Sequence, residues 1–199
     1  TLANNPDAWI AHNNLANILR QRGELNQAIR HYRQALLLLP GDAQIHLNLA
    51  DSHQQRGELA TAIRHYRYAL DAAPDRSDTH LKLGNTLLAQ NAPEDAIHHY
   101  LRALELRPGL APAHSNLGAA LAIQGETEAA IDHYRRALEL KPDFAEAHNN
   151  LGRLLAEQGQ LKAAIDHYRR ALELKPNYAK ARNNLSIAKR AARRPESQP

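Results

Sequence analysis

The segment AEAHNNLGRLLAEQGQLKAAIDHYRRALELKPNY, residues 145–178, decides the fold. Small and apolar residues at Ala147, Leu151, Gly152 and Leu155 share one face of a helix. Gly159 then interrupts the pattern, as a glycine just past a helix C-terminus does. A second apolar stripe follows at Ala164, Ile165, Tyr168, Ala171 and Leu172. Pro176 closes it, because proline cannot continue a helix. The segment reads as helix, tight turn, helix, tight turn.

The same unit recurs along the chain. Prolines stand at 6, 40, 74, 108, 142 and 176, each 34 residues after the last. Tyr32, Tyr66, Tyr100, Tyr134 and Tyr168 keep that step, and so do Leu15, Leu49, Leu83, Leu117, Leu151 and Leu185. No insertion breaks the register, so the chain is a repeat array. With position 1 set three residues after each proline, full repeats run 9–42, 43–76, 77–110, 111–144 and 145–178. Positions 8 and 20 carry only Gly or Ala, such as Gly84 with Ala96 and Gly118 with Ala130, which lets two antiparallel helices approach closely. A hairpin of this kind leaves one apolar face open for the next hairpin to cover.

Leu at position 7, Gly or Ala at 8, Gly at 15, Ala at 20, Tyr at 24, Ala at 27 and Pro at 32 resemble the tetratricopeptide repeat family over nearly the whole chain. The resemblance implies an all-α solenoid of helical hairpins wound as a right-handed superhelix, with first helices on the concave face. Departures are few. Position 4, often tryptophan in the family, is histidine in every full repeat, Asn91 replaces a turn glycine, and His53 replaces a leucine at position 11 as a local weak point. Asn91 is tolerable because asparagine also visits the left-handed conformation. Pro93 and Pro112 fall near helix starts, where proline fits.

The ends read differently. Residues 179–192 repeat the first helix alone, with Ser186 and Lys189 at former core positions, and are expected to form a C-terminal capping helix. Residues 193–199 are expected to be a disordered basic and polar tail. Leu2 and Pro6 match the end of a preceding repeat, so residues 1–8 are expected to be its stub, a short leader being the alternative. Methionine is absent even at position 1, which leads us to expect a fragment or processed product.

Composition narrows the function. Apolar residues are 43% and charged residues 23%, enough for a core and a solvated surface. The absence of cysteine excludes disulfides, thiolate chemistry and cysteine-based zinc sites. The longest aliphatic run, Ala35 to Leu39, is far too short for a membrane span, and no leader pattern opens the chain. No compartment is written in the sequence, and the cytoplasm is the default expectation. Residues 179–199 carry +5 and leave the rest at −1, so the basic character belongs to the tail.

Position 6 reads Asn14, Asn48, Lys82, Asn116, Asn150 and Asn184, and position 9 opens with Asn17, Asp51 and Asn85. Both fall opposite the core side of the first helices. Asparagine is a poor helix former, so its recurrence at one exposed position needs a reason. A carboxamide offers donors and acceptors that match a peptide unit. These nine residues are the candidate site, a ladder gripping an extended peptide backbone. The competing structural reading is that they bridge neighbouring first helices, and the two are compatible. The runs at 11–16, 113–118 and 147–152 are similar to the repeats of O-linked N-acetylglucosamine transferases, in which such a ladder holds substrate peptides, and to those of bacterial scaffold arrays. A carboxylate clamp for chaperone C-termini is rejected, because Asn13 and Asp78 stand where it needs cations.

Ten of twelve histidines occupy positions 4 and 23. Equivalent positions in stacked hairpins lie too far apart to share an ion, so no metal site is expected. If positions 8 and 20 face each other, position 4 faces the tyrosine at 24, pairing His12 with Tyr32, His46 with Tyr66 and His80 with Tyr100. Asp132 and Asp166, beside arginines, read as a solvated ion-paired face. No nucleophile with a base in register and no phosphate-binding glycine loop is present, and no cofactor is implied. The expected function is a protein–protein interaction scaffold, free-standing or membrane-tethered. The alternative is the substrate-recruiting part of a larger enzyme such as a glycosyltransferase. Nucleic-acid binding through Lys189–Arg194 is a lesser reading because aromatics are missing there, and self-association through a solenoid end is a further one.

Overall fold

A computed structural model describes residues 7–193. These form eleven α-helices and no strand. They fall into two compact units, Thr1–Arg107 and Pro108–Pro199. The first holds α1 (Ala8–Gln21), α2 (Leu25–Leu38), α3 (Ala43–Gln55), α4 (Leu59–Ala72), α5 (Ser77–Ala89) and α6 (Pro93–Leu106). The second holds α7 (Ala111–Ile123), α8 (Thr127–Leu140), α9 (Ala145–Glu157), α10 (Leu161–Leu174) and α11 (Ala179–Ala192). Asp7 stands at the N-cap of α1 and Ala8 is its first residue, and residues 1–6 of the expected stub, with the tail beyond Arg193, lie outside the described residues.

The turns follow from single residues. Gly23, Gly57, Gly125 and Gly159 adopt φ of 77° to 84°, and Asn91 takes the same left-handed role at φ 62°. Pro93 opens α6 and Pro112 lies in the first turn of α7, where an amide hydrogen has no intrahelical partner. The Asp42 carboxylate caps α3 by accepting from the Ile45 amide at 2.7 Å.

In unit 1, α1 packs on α2, α3 on α4 and α5 on α6, and each hairpin leans on the next through α2 against α3 and α4 against α5. Unit 2 repeats this with α7 on α8 and α9 on α10, joined through α8 and α9, and α11 closes against α10. The tyrosines lie inside each hairpin. Tyr32, Tyr66 and Tyr100 are fully buried, and a Cβ added at Gly84 would lie 2.6 Å from the Tyr100 ring. Position 8 is therefore small because the tyrosine ring of the second helix sits against it. Within each unit, neighbouring hairpins bury position 7: Leu49 and Leu83 are 0% exposed and Leu151 is 2% exposed. Leu15, on the first described helix, is 42% exposed. Trp9 packs onto the core of the first hairpin.

Candidate functional site

Tyrosine sets the geometry of the candidate residues. In unit 1 each second helix sends its tyrosine across the hairpin, so that the hydroxyl emerges beside position 9 of the first helix. Tyr32 donates to the Asn17 Oδ1 at 2.6 Å, Tyr66 to the Asp51 Oδ1 at 2.8 Å and Tyr100 to the Asn85 Oδ1 at 2.9 Å. Burial raises the hydroxyl pKa of all three, which keeps them as neutral donors.

Position 9 in turn holds position 6 of the following repeat. The Asn48 Nδ2 donates to the Asn17 Oδ1 at 3.2 Å, and the Lys82 Nζ to the Asp51 Oδ2 at 2.7 Å. The Asn17 oxygen thus receives two donors, which fixes the carboxamide and turns its NH2 group away. Asn48 also accepts from the Gln44 Nε2 at 3.0 Å and is only 8% exposed, so it acts as a brace. Asn14 is exposed and stands apart from these bonds.

Unit 2 reaches a related arrangement with different residues. Ala119 leaves position 9 without a polar group, and the Asn150 carboxamide hydrogen-bonds the Tyr134 hydroxyl instead. Burial pushes that hydroxyl up to about 12. The Asn149 Nδ2 donates to the Asn150 Oδ1 at 3.1 Å, and the Asn184 Nδ2 donates to the Asn149 Oδ1 at 3.0 Å. Asn149 is 4% exposed and links the other two. Its place at position 5 hid it from a reading that followed positions 6 and 9. Asn116 is half-buried on α7.

The expected histidine–tyrosine pairs do not form. A side chain on a helix leans toward the N-terminus, so the position-24 ring lands on position 8 and misses position 4. Histidine meets histidine instead. The Nδ1 atoms of His12 and His31, His80 and His99, and His114 and His133 lie 3.0 Å apart, those of His46 and His65 3.2 Å, and those of His148 and His167 2.9 Å. The position-4 ring donates Nε2–H to the carbonyl of the repeat proline: His46 to Pro40 at 2.9 Å, His80 to Pro74 and His114 to Pro108 at 3.0 Å, and His148 to Pro142 at 3.1 Å. In a neutral ring so tied, Nδ1 is a lone pair, and the position-23 ring must supply the shared proton. Burial lowers the pKa of His65 and His99 to about 4, with the partner histidine as the next cause. It also lowers those of His31, His133 and His167 on second helices and of His80, His114 and His148 on first helices. Among the described residues no group of three or more potential ligands could hold a metal ion.

His53 is buried at 2% exposure, hydrogen-bonds Glu58 through Nδ1, and leaves Nε2 without a partner among the described residues. The outer faces of α8 and α10 carry spaced ion pairs, Arg136 with Glu139 at 2.8 Å and Arg170 with Glu173 at 2.9 Å. Arg135 with Asp132 and Arg169 with Asp166, at 3.3 and 3.2 Å, complete the solvated face read from the sequence. No described helix is long and apolar enough to cross a membrane.

Stacked helical hairpins with a polar, tyrosine-anchored side define an all-α helical repeat protein. Family models for the TPR repeat match residues 16–57 and 120–159, and models for the tetratricopeptide repeat match 41–109 and 145–178. Together they span well over half the chain, which belongs to the tetratricopeptide repeat family. The models describe the repeat itself, so the narrower likeness to O-linked N-acetylglucosamine transferases is no part of this finding. No curated protein matches by sequence. Among solved structures, the chain is similar to MamA at 24% identity and a TM-score of 0.78, covering 87% of this chain and 95% of that one. It is similar to YrrB, reported as a TPR protein with an unusual peptide-binding site, at 25% identity and a TM-score of 0.74, covering 86% and 89%. It is also similar to pilF of Pseudomonas aeruginosa at 24% identity and a TM-score of 0.74, covering 92% and 89%.

Proposed function

We propose that the chain is a protein-interaction module whose units each hold an extended segment of a partner protein against their first helices, unit 1 through Asn14, Asn17, Asp51, Lys82 and Asn85 and unit 2 through Asn116, Asn150 and Asn184. One observation carries the reading. The Asn17 carboxamide is locked by the Tyr32 hydroxyl and Asn48, so its two amide hydrogens are oriented before any partner arrives. A fixed amide loses little freedom on binding a peptide carbonyl, and that pre-organisation is what affinity from polar groups needs. Asn48 is kept in the proposal as the brace that orients Asn17. Its own burial leaves it a small share of direct contact.

The structural bridging and the binding role use the same atoms in sequence. The bridges consume the Asn17 oxygen and one Asn184 amine hydrogen, and they leave the Asn17 NH2 and the Asn184 oxygen for a ligand. Backbone recognition of this kind requires no catalytic group. The likeness to YrrB supports a peptide as the ligand class. The test is capture of partner proteins by the intact chain, compared with a variant carrying Asn17→Ala, Asn150→Ala and Asn184→Ala. Recovery should fall at least tenfold while helix content is kept. Undiminished recovery with the variant would overturn the role of the carboxamides.

A further inference from the structure

The last helix is the most basic of those described. α11 and the residue after it carry Lys180, Arg182, Lys189, Arg190 and Arg193, and no acid. Arg182 donates to the Pro176 carbonyl at 2.8 Å. Among the described residues no ion pair reaches the other four, whereas the arginines on α8 and α10 pair with carboxylates three residues away.

Beside these cations, α9, α10 and α11 enclose a cleft of about 280 Å³. Its apolar wall is Leu161, Tyr168, Ile187 and Ala188, and Arg153 and Asn184 stand with them. Ile187 is 50% exposed at position 9, which in unit 1 holds Asn17, Asp51 and Asn85. Tyr168 also breaks the pattern. Its counterparts in unit 1 donate to position 9, but here position 9 is Arg153, which donates to Glu157 at 2.6 Å. The Tyr168 hydroxyl makes no hydrogen bond among the described residues, and burial raises its pKa, so it is a neutral donor in search of an acceptor. The cleft is smaller than most cofactor pockets and large enough for one apolar side chain.

An apolar wall, an unmatched hydroxyl donor and four unpaired cations are the complement of one kind of ligand. We propose that this cleft takes an acidic segment of a partner protein, with one apolar side chain seated against Ile187 and a carboxylate accepting from the Tyr168 hydroxyl. The proposal rests on the peptide-holding reading and adds the chemistry of the peptide. The unpaired cations lie on or just beyond the helix that forms one wall, within the range over which charge acts at moderate salt. Glu157, the acid at the cleft, is already neutralised by Arg153.

The test is fluorescence anisotropy with the full chain and three labelled peptides of equal length. All keep one central leucine; the flanks are aspartate and glutamate, asparagine and glutamine, or lysine. The acidic peptide should bind at least tenfold tighter than the amide peptide, and the gap should narrow from 50 to 200 mM salt. Ile187→Asp and, separately, the exposed pair Lys189→Glu with Arg190→Glu should each cost tenfold or more, with unchanged helix content. Tyr168→Phe should weaken the acidic peptide and leave the amide peptide alone. Equal binding of acidic and amide peptides would overturn this proposal and leave peptide holding intact, whereas failure of every peptide would count against both. Duplex DNA that binds through the same cations and is not displaced by the acidic peptide would overturn the proposal in favour of a nucleic-acid surface.

Discussion

Acid should unfold this protein over a defined pH window, and the histidine pairs set it. In the folded chain the position-23 rings are half-buried, and each shares one proton with its partner. His65 and His99 titrate at about 4, against about 6.5 when unfolded. A base whose folded pKa is depressed favours folding while neutral. Its contribution is complete above about pH 6.5 and declines as the pH falls toward about 4. At pH 5 the full shift corresponds to about 2 kcal/mol for each ring. Both rings keep partial contact with water, so we halve this to about 1 kcal/mol each. His31, His80, His114, His133, His148 and His167 shift in the same direction and add to the loss. Urea unfolding followed by circular dichroism at pH 7.5 and pH 5 should therefore lose at least about 2 kcal/mol, a sizeable part of a typical domain's stability. The variant His65→Gln with His99→Gln should lose less over the same interval. Equal midpoints at the two pH values, or an unaltered pH slope in the variant, would refute the assignment of shared protons to these pairs.

Three further outcomes can be checked by the same unfolding assay. His53→Leu restores the residue type found at Leu87, Leu121 and Leu155 and removes the unpartnered buried nitrogen, and it should stabilise by about 1 kcal/mol. Asn91→Ala places a β-carbon without a helpful polar group at φ 62° and should cost about 1 kcal/mol, while Asn91→Gly should be neutral or better. Leu49→Ala should cost about 2–5 kcal/mol and Leu15→Ala much less, since the same repeat position is 0% exposed in one and 42% in the other.

The 34-residue step made the helices, turns and small contact positions readable from the sequence, because each has a local cause. Proline and glycine punctuate the chain, and the apolar period does the rest. Gly84 and Gly152 were legible as close approaches, although the tyrosine ring that occupies the space was not. That ring belongs to a different helix, and which facing residue it strikes depends on side-chain lean and helix crossing, which spacing alone does not give. The same shift turned the expected His46–Tyr66 pair into His46–His65. The candidate site was half legible. Positions 6 and 9 were found because asparagine is out of place in a helix, and Asn17 with Asn48 does meet across neighbouring repeats. Asn149 went unnoticed because one asparagine beside another carries no periodic signal.

Arg182 stands where the other repeats keep a histidine, and it grips the same proline carbonyl. A guanidinium stays charged at every pH at which a protein remains folded and shares no proton with a partner ring, so acid creates no like-charged pair behind this latch as it does behind the histidines. Acid should therefore loosen the interior loops before the final one. In hydrogen exchange at pH 5, amides around Asn177 and Tyr178 should hold on longer than their equivalents around Asp75 and Arg76, reversing the usual order in which a chain frays from its end.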